Sequence, residues 1–154
     1  MQPPESPSRS SRRSGPPRVL VVDDDHATRV LCSTILQREG YHVLEAADGQ
    51  EGLELALDHV PDVVLLDISM PVLDGFGLAA ALRADERTRD LPLIFVSAEV
   101  DPLIKAKAFE TGAHGFITKP FDPRVISSFI HKLLAHAVPN RTLRAVDGLE
   151  GQAN

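Results

Sequence analysis

Between residues 18 and 137 the chain alternates five times between a short aliphatic run and a stretch long enough for a helix, and that alternation leaves few folds open. The runs occupy 18–23, 41–45, 62–67, 91–96 and 115–118, and the helix-length stretches about 26–39, 48–58, 75–85, 101–111 and 122–137. The first, third and fourth runs are almost continuously apolar, as strands are when helices cover both faces of a parallel sheet. Right-handed crossovers then give a doubly wound α/β fold with five parallel strands.

Punctuation supports these boundaries. Asp101-Pro102 and Asp122-Pro123 each set an N-cap acceptor before a proline at the first helical position, where a missing N–H is harmless. Asp48 and Glu51 have capping-box spacing. Gly40 and Gly112 fall where the first and fourth helices should end.

The ends are of another kind. Residues 1–17 hold five prolines and five serines, with no large aliphatic residue after Met1, and read as a disordered leader. Residues 139–154 read as a flexible C-terminal tail, leaving one domain at 18–138. Arg9, Arg12, Arg13 and Arg18 against Glu5 alone make residues 1–18 +3, so the formal charge of −6 leaves −9 on the remainder. An acidic body is a poor match for a phosphate backbone, and no direct nucleic-acid binding is expected. Uninterrupted apolar runs such as 19–22 and 63–66 fall far short of the ~20 residues a membrane helix needs. The single cysteine, Cys32, sits between Leu31 and Ile35 and reads as an inert thiol, compatible with a cytoplasmic location.

In a doubly wound sheet, ligands sit outside the carboxyl ends of the strands. Here those ends carry Asp23-Asp24-Asp25, Asp67, Ser97 and Lys119-Pro120. Carboxylates gathered at one edge repel unless a cation intervenes, and an all-oxygen cluster suits Mg²⁺. Lys119 and Ser97 offer a positive charge and a hydroxyl to a phosphoryl group. Together they can equip an aspartate nucleophile to form an aspartyl phosphate, and Asp67, ending the central strand, is the best placed.

Four blocks carry a resemblance: 19–25 (VLVVDDD), 62–75 (DVVLLDISMPVLDG), 96–99 (VSAE) and 112–121 (GAHGFITKPF). In order and spacing they resemble the receiver domain of bacterial two-component response regulators, in particular stand-alone receivers of the chemotaxis-regulator type. The resemblance implies a flavodoxin-like (βα)5 fold with strand order 2-1-3-4-5. It implies Asp67 as phosphoacceptor, served by a sensor histidine kinase or a histidine phosphotransfer protein. Asp23, Asp24, Asp67 and the backbone carbonyl of Ser69 would hold Mg²⁺, and Ser97 and Lys119 would bind the phosphoryl oxygens. Ser97 and Phe116 would form the switch, and Pro120 would follow a cis peptide bond. By the same resemblance, Ser69 and Glu99 would lie where side chains flank attacking water. The protein is then expected to be a binding module and not an enzyme on an external substrate, signalling to a downstream protein that the sequence does not name.

A phosphatase resembling the haloacid dehalogenase superfamily would use Asp23 and Asp25 instead, but it needs a second acidic pair late in the chain, where Lys119-Pro120 stands. Asp25 reads as a polar loop residue, His26 as a solvated one, and Asp74 with Gly75 as a turn and N-cap. In the last helix Ile126, Ile130, Leu133 and Leu134 form the stripe facing the sheet. Val125 and Phe129 lie beside it, either widening the buried face or forming a partner face on the fourth helix, fifth strand and fifth helix, where receivers commonly form homodimers.

Overall fold

The computed structural model describes residues 15–136. Most of the leader, the whole tail and the last two residues of the expected domain lie outside them. The elements are β1 (Arg18–Val22), α1 (His26–Arg38), β2 (His42–Ala46), α2 (Gly49–His59), β3 (Val63–Leu66), α3 (Gly75–Ala84), β4 (Leu93–Ser97), α4 (Pro102–Glu110), β5 (Gly115–Thr118) and α5 (Pro123–His136). All strand pairs are parallel, in the order β2-β1-β3-β4-β5. This is the expected flavodoxin-like fold. Pro17, counted with the leader, belongs to the sheet edge, because its carbonyl accepts from the His42 N–H at 2.9 Å.

Successive residues of a strand point to opposite faces, and here that alternation builds two cores. Leu20, Val22, Val64, Leu66, Leu93, Phe95 and Phe116 pack under α2, α3 and α4. Val19, Val21, Val63, Leu65, Ile94, Val96 and Ile117 pack under α1 and α5. Both sets are buried, which is why these strands read as unbroken apolar runs.

The helix starts are held as their sequences suggest. Asp48, Asp74 and Asp101 accept from the backbone N–H of Glu51, Gly77 and Leu103. Asp122 accepts from Arg124 N–H. Glu51 completes the reciprocal contact one residue earlier than a strict capping box, on Ala47 N–H. Gly40 and Gly112 end α1 and α4 with φ of +96° and +86°, a region that glycine enters without steric cost.

Of the two readings left open for Val125 and Phe129, the wider buried face is the one the packing supports. Phe129 is 5% exposed, and Val125 packs half-buried against the same cluster. The reason lies on β5: a Cβ on Gly115 would stand 2.2 Å from Phe129 Cζ, so the missing side chain is the space the ring fills. Phe129→Glu is therefore expected to destabilise the fold by more than about 3 kcal/mol, read as a collapse of the thermal unfolding midpoint. A stable variant with altered self-association alone would restore the partner face. Large apolar side chains that are exposed include Val72, Val100 and Leu103.

Candidate functional site

The strand ladders run one residue past β1, β3 and β5, and those extra residues are the reactive ones. Asp23 N–H donates to Ala46 O at 3.1 Å, Asp67 N–H to Val22 O at 3.1 Å, and Lys119 N–H to Ser97 O at 2.8 Å. Asp23 continues the alternation of Val19 and Val21, Asp67 that of Val63 and Leu65, and Lys119 that of Ile117. All three side chains therefore come off on the α1/α5 side and meet.

Lys119 Nζ lies 2.8 Å from Asp23 Oδ2 and 3.1 Å from Asp67 Oδ2. Asp67 Oδ1 accepts from Ile68 N–H at 2.7 Å, and Asp23 Oδ1 accepts from Asp25 N–H at 2.8 Å. Asp24 completes the cluster: carboxylate oxygens of Asp23, Asp24 and Asp67 lie within 4.8 Å of one another, Asp23 and Asp67 buried and Asp24 exposed. Burial pushes the Asp23 carboxyl up, outweighing the bonds from Lys119 and Asp25 that favour its charged form. Burial also works against the Lys119 ammonium, but Asp23 and Asp67 more than compensate, and its pKa rises. Two carboxylates thus share one ammonium, and a third lies beside them. The deficit of positive charge and the all-oxygen donor set fit a hard dication such as Mg²⁺.

Ser97 ends β4 at 2% exposure, level with Thr118 on β5 and near the ends of β3 and β5. Its Oγ accepts from Glu99 N–H at 3.2 Å. Phe116 is fully buried behind this edge, stacked on Phe95 with centroids 6.4 Å apart. The Lys119-Pro120 peptide is cis, as the resemblance implies. Ser69 is exposed on the loop after Asp67.

Two neighbours lie at the start of α1. Asp25 stays in the loop before α1 and caps that helix by accepting from Thr28 N–H at 3.2 Å, a role its Asp-x-x-Thr spacing signals. His26 is exposed, but as the first residue of α1 and not in the loop. Arg29, which no motif marks, donates to Asp23 O at 2.7 Å and lies 3.4 Å from Glu45, tying the end of β1 to α1 and β2. Cys32 lies under the site, and burial, with Asp23 nearby, pushes its thiol up to about 12, leaving it inert at neutral pH. Among the described residues no helix is long and apolar enough to cross a membrane.

Comparison with known proteins gives this geometry a family. The DNA-binding dual master transcriptional regulator RpaA of Synechocystis sp. is 40% identical over 118 residues, which are 77% of this chain and 49% of that protein. The chain thus spans about half the length of the curated relatives it matches. The chemotaxis protein CheY4 of Vibrio cholerae superposes with a TM-score of 0.73 at 34% identity, covering 77% of this chain and 98% of that one. A chain of the CheX–CheY–BeF3–Mg²⁺ complex from Borrelia burgdorferi matches at 28% identity and a TM-score of 0.73, over 78% of this chain and 90% of that one. The family model for the response regulator receiver domain matches residues 19–131, nearly all of the described fold and every residue of the acidic edge. The chain belongs to the receiver-domain family of two-component response regulators.

Proposed function

We propose that this chain is phosphorylated on Asp67 in a Mg²⁺-dependent reaction, from a phosphohistidine on a sensor histidine kinase or phosphotransfer protein, and that the modification changes what its surface binds. The observation carrying this reading is the setting of Asp67, a carboxylate at a strand end, bonded by Ile68 N–H and Lys119 and facing two further carboxylates. In the transfer, an Asp67 oxygen forms a bond to phosphorus as the phosphorus–nitrogen bond breaks, and the imidazole leaves with the bonding electron pair and takes a proton from solvent.

The chain's own groups divide the remaining work. Lys119, now bridging Asp23 and Asp67, is within reach of a phosphoryl oxygen on Asp67, and Ser97 supplies a hydroxyl donor from the next strand. Asp23, Asp24 and Asp67, with the Ser69 carbonyl, would hold Mg²⁺. When bound, the ion neutralises charge on the carboxylates and on the phosphoryl oxygens. The product is a conformational signal and not a released compound, so the module acts as a binding switch. Val100 and Leu103, 71% and 77% exposed at the start of α4, are the apolar side chains best placed to meet a downstream protein, in place of Val125 and Phe129. The −9 charge beyond residue 18 argues against direct DNA contact by this module.

Incubation with acetyl phosphate and Mg²⁺ tests the reading. The expected result is one added phosphoryl group by intact mass, lost on hydroxylamine treatment and absent when EDTA replaces Mg²⁺. Equal labelling in EDTA would remove the metal from the account.

A further inference from the structure

Helix α4 is thinly attached. Ala108 is its one fully buried residue, Ile104 and Phe109 pack partly against the core, and Leu103 points into solvent. Two of its lysines nevertheless reach back over aromatic rings. Lys105 Nζ lies 5.4 Å from the centroid of Phe116, and Lys107 Nζ lies 4.5 Å from that of Phe76. Those rings are the two ends of one column: Phe76 is 5.6 Å from Phe95, and Phe95 is 6.4 Å from Phe116 at an interplanar angle of 28°. The column therefore spans α3, β4 and β5, and each end lies under an ammonium group from the same helix. Neither lysine joins an ion pair among the described residues.

The position of the column matters as much as its ends. Phe95 lies two residues before Ser97 and shares its face of β4, and Phe116 is its partner across the sheet. Phe95 and Phe116 thus sit on the α2–α4 face of the sheet, next to the end of β4 that carries Ser97. An ammonium over a ring face is attracted by the ring's quadrupole within about 6 Å, and at a partly exposed site this moves an equilibrium roughly two- to fivefold. The contact is weak enough to exchange for water, unlike a buried leucine in the same place.

We propose that Lys105 is a positioning residue for the phosphorylation switch: its ammonium holds Phe116 in the buried place, while Lys107 over Phe76 anchors the far end, so the seating of α4 and the position of the Phe116 ring form one coupled equilibrium. The proposal rests on the receiver reading for the roles of Ser97 and Phe116. Moving the ring out forfeits the Lys105 contact and loosens α4. Moving α4 away removes the charge that favours the ring inside.

The test uses the full chain with Lys105→Met, Lys105→Arg, Phe116→Leu and the double variant Lys105→Met/Phe116→Leu. In the unphosphorylated protein, NMR of labelled phenylalanine should show the Phe116 ring resonances of K105M moving toward those of a solvent-exposed ring, with K105R close to wild type. Beryllofluoride titration with Mg²⁺ should show K105M binding two- to fivefold more weakly, K105R restored, and no effect of K105M in the Phe116→Leu background. Identical spectra and affinities for K105M and K105R, or a K105M effect that persists undiminished beside Phe116→Leu, would overturn the proposal. A wild-type protein that binds no beryllofluoride would count against the receiver reading instead, and the NMR comparison of K105M with K105R would still decide what holds the ring.

Discussion

Replacing Asp67 by Asn should abolish phosphoryl incorporation, with a loss of at least about a hundredfold in labelling rate, while leaving the fold as stable as before or more so. The two halves of that expectation have one cause. Asp67 supplies the attacking oxygen, and the amide of Asn is a poor nucleophile of nearly the same shape. It also shares the Lys119 ammonium with Asp23 and lies close to the Asp24 carboxylate, so removing one negative charge relieves repulsion. Asn can still accept from the Ile68 N–H through its one oxygen, while Lys119 loses its Asp67 partner but keeps Asp23 at 2.8 Å. Labelling by acetyl phosphate and a thermal melt on the same sample check both halves. A variant that loses labelling because it has unfolded would give no support to Asp67 as nucleophile.

Gly75→Ala should behave in the opposite way, losing stability and phosphorylation together. Gly75 opens α3 directly against the end of β3, with its N–H bonded to Ile68 O at 2.8 Å. A Cβ there would stand 2.1 Å from Asp67 O and 2.8 Å from Ile68 Cα. Both are backbone atoms of the segment that presents the phosphoacceptor, so no side chain can swing aside to make room. Either α3 retreats from the sheet or Asp67 is displaced. The expected cost is about 3 kcal/mol or more, a fall in melting temperature on the order of 10 °C for a domain this size. Calorimetry and acetyl phosphate labelling on one preparation measure it. A stable, fully labelled G75A protein would mean that the close approach of α3 is not what fixes Asp67.

Much of this was legible in the sequence because strands and helix starts carry local signals. Period-two burial fixes which face each strand residue serves, and it extends to Asp23, Asp67 and Lys119, so three positions 44 and 52 residues apart were readable as one site. Aspartate before a helix announces a cap, and glycine after one announces its end. The contacts that escaped are those decided by a distant element. Phe129 is buried because Gly115 has no side chain, and nothing within α5 records that. Arg83 donates to the carbonyls of Arg89, Leu91, Thr111 and Gly112, closing the far ends of α3 and α4, and no motif in the sequence marks it. Thr88 is fully buried, its hydroxyl donating to Leu82 O, although it lies in a polar stretch. Val72, at a φ of 70° on the loop after Asp67, is a β-branched residue in a conformation that favours glycine, and its residue type gives no hint of that.

The aromatic column under α4 belongs with these. Phe76, Phe95 and Phe116 come from three elements, and only the assembled sheet places Lys105 and Lys107 over its two ends. Sequence marked Phe116 by resemblance to a family position. What surrounds the ring needed the tertiary structure.

The acidic edge is expected to form an aspartyl phosphate on Asp67, the residue ending the central strand. Mapping the phosphoryl group on the wild-type chain, after borohydride reduction converts the acyl phosphate to the corresponding alcohol, tests it most directly. A single reduced residue, at position 67, is the expected result. Reduction at Asp23 or Asp25 would contradict it and favour the phosphatase-like alternative, in which the first strand carries the nucleophile.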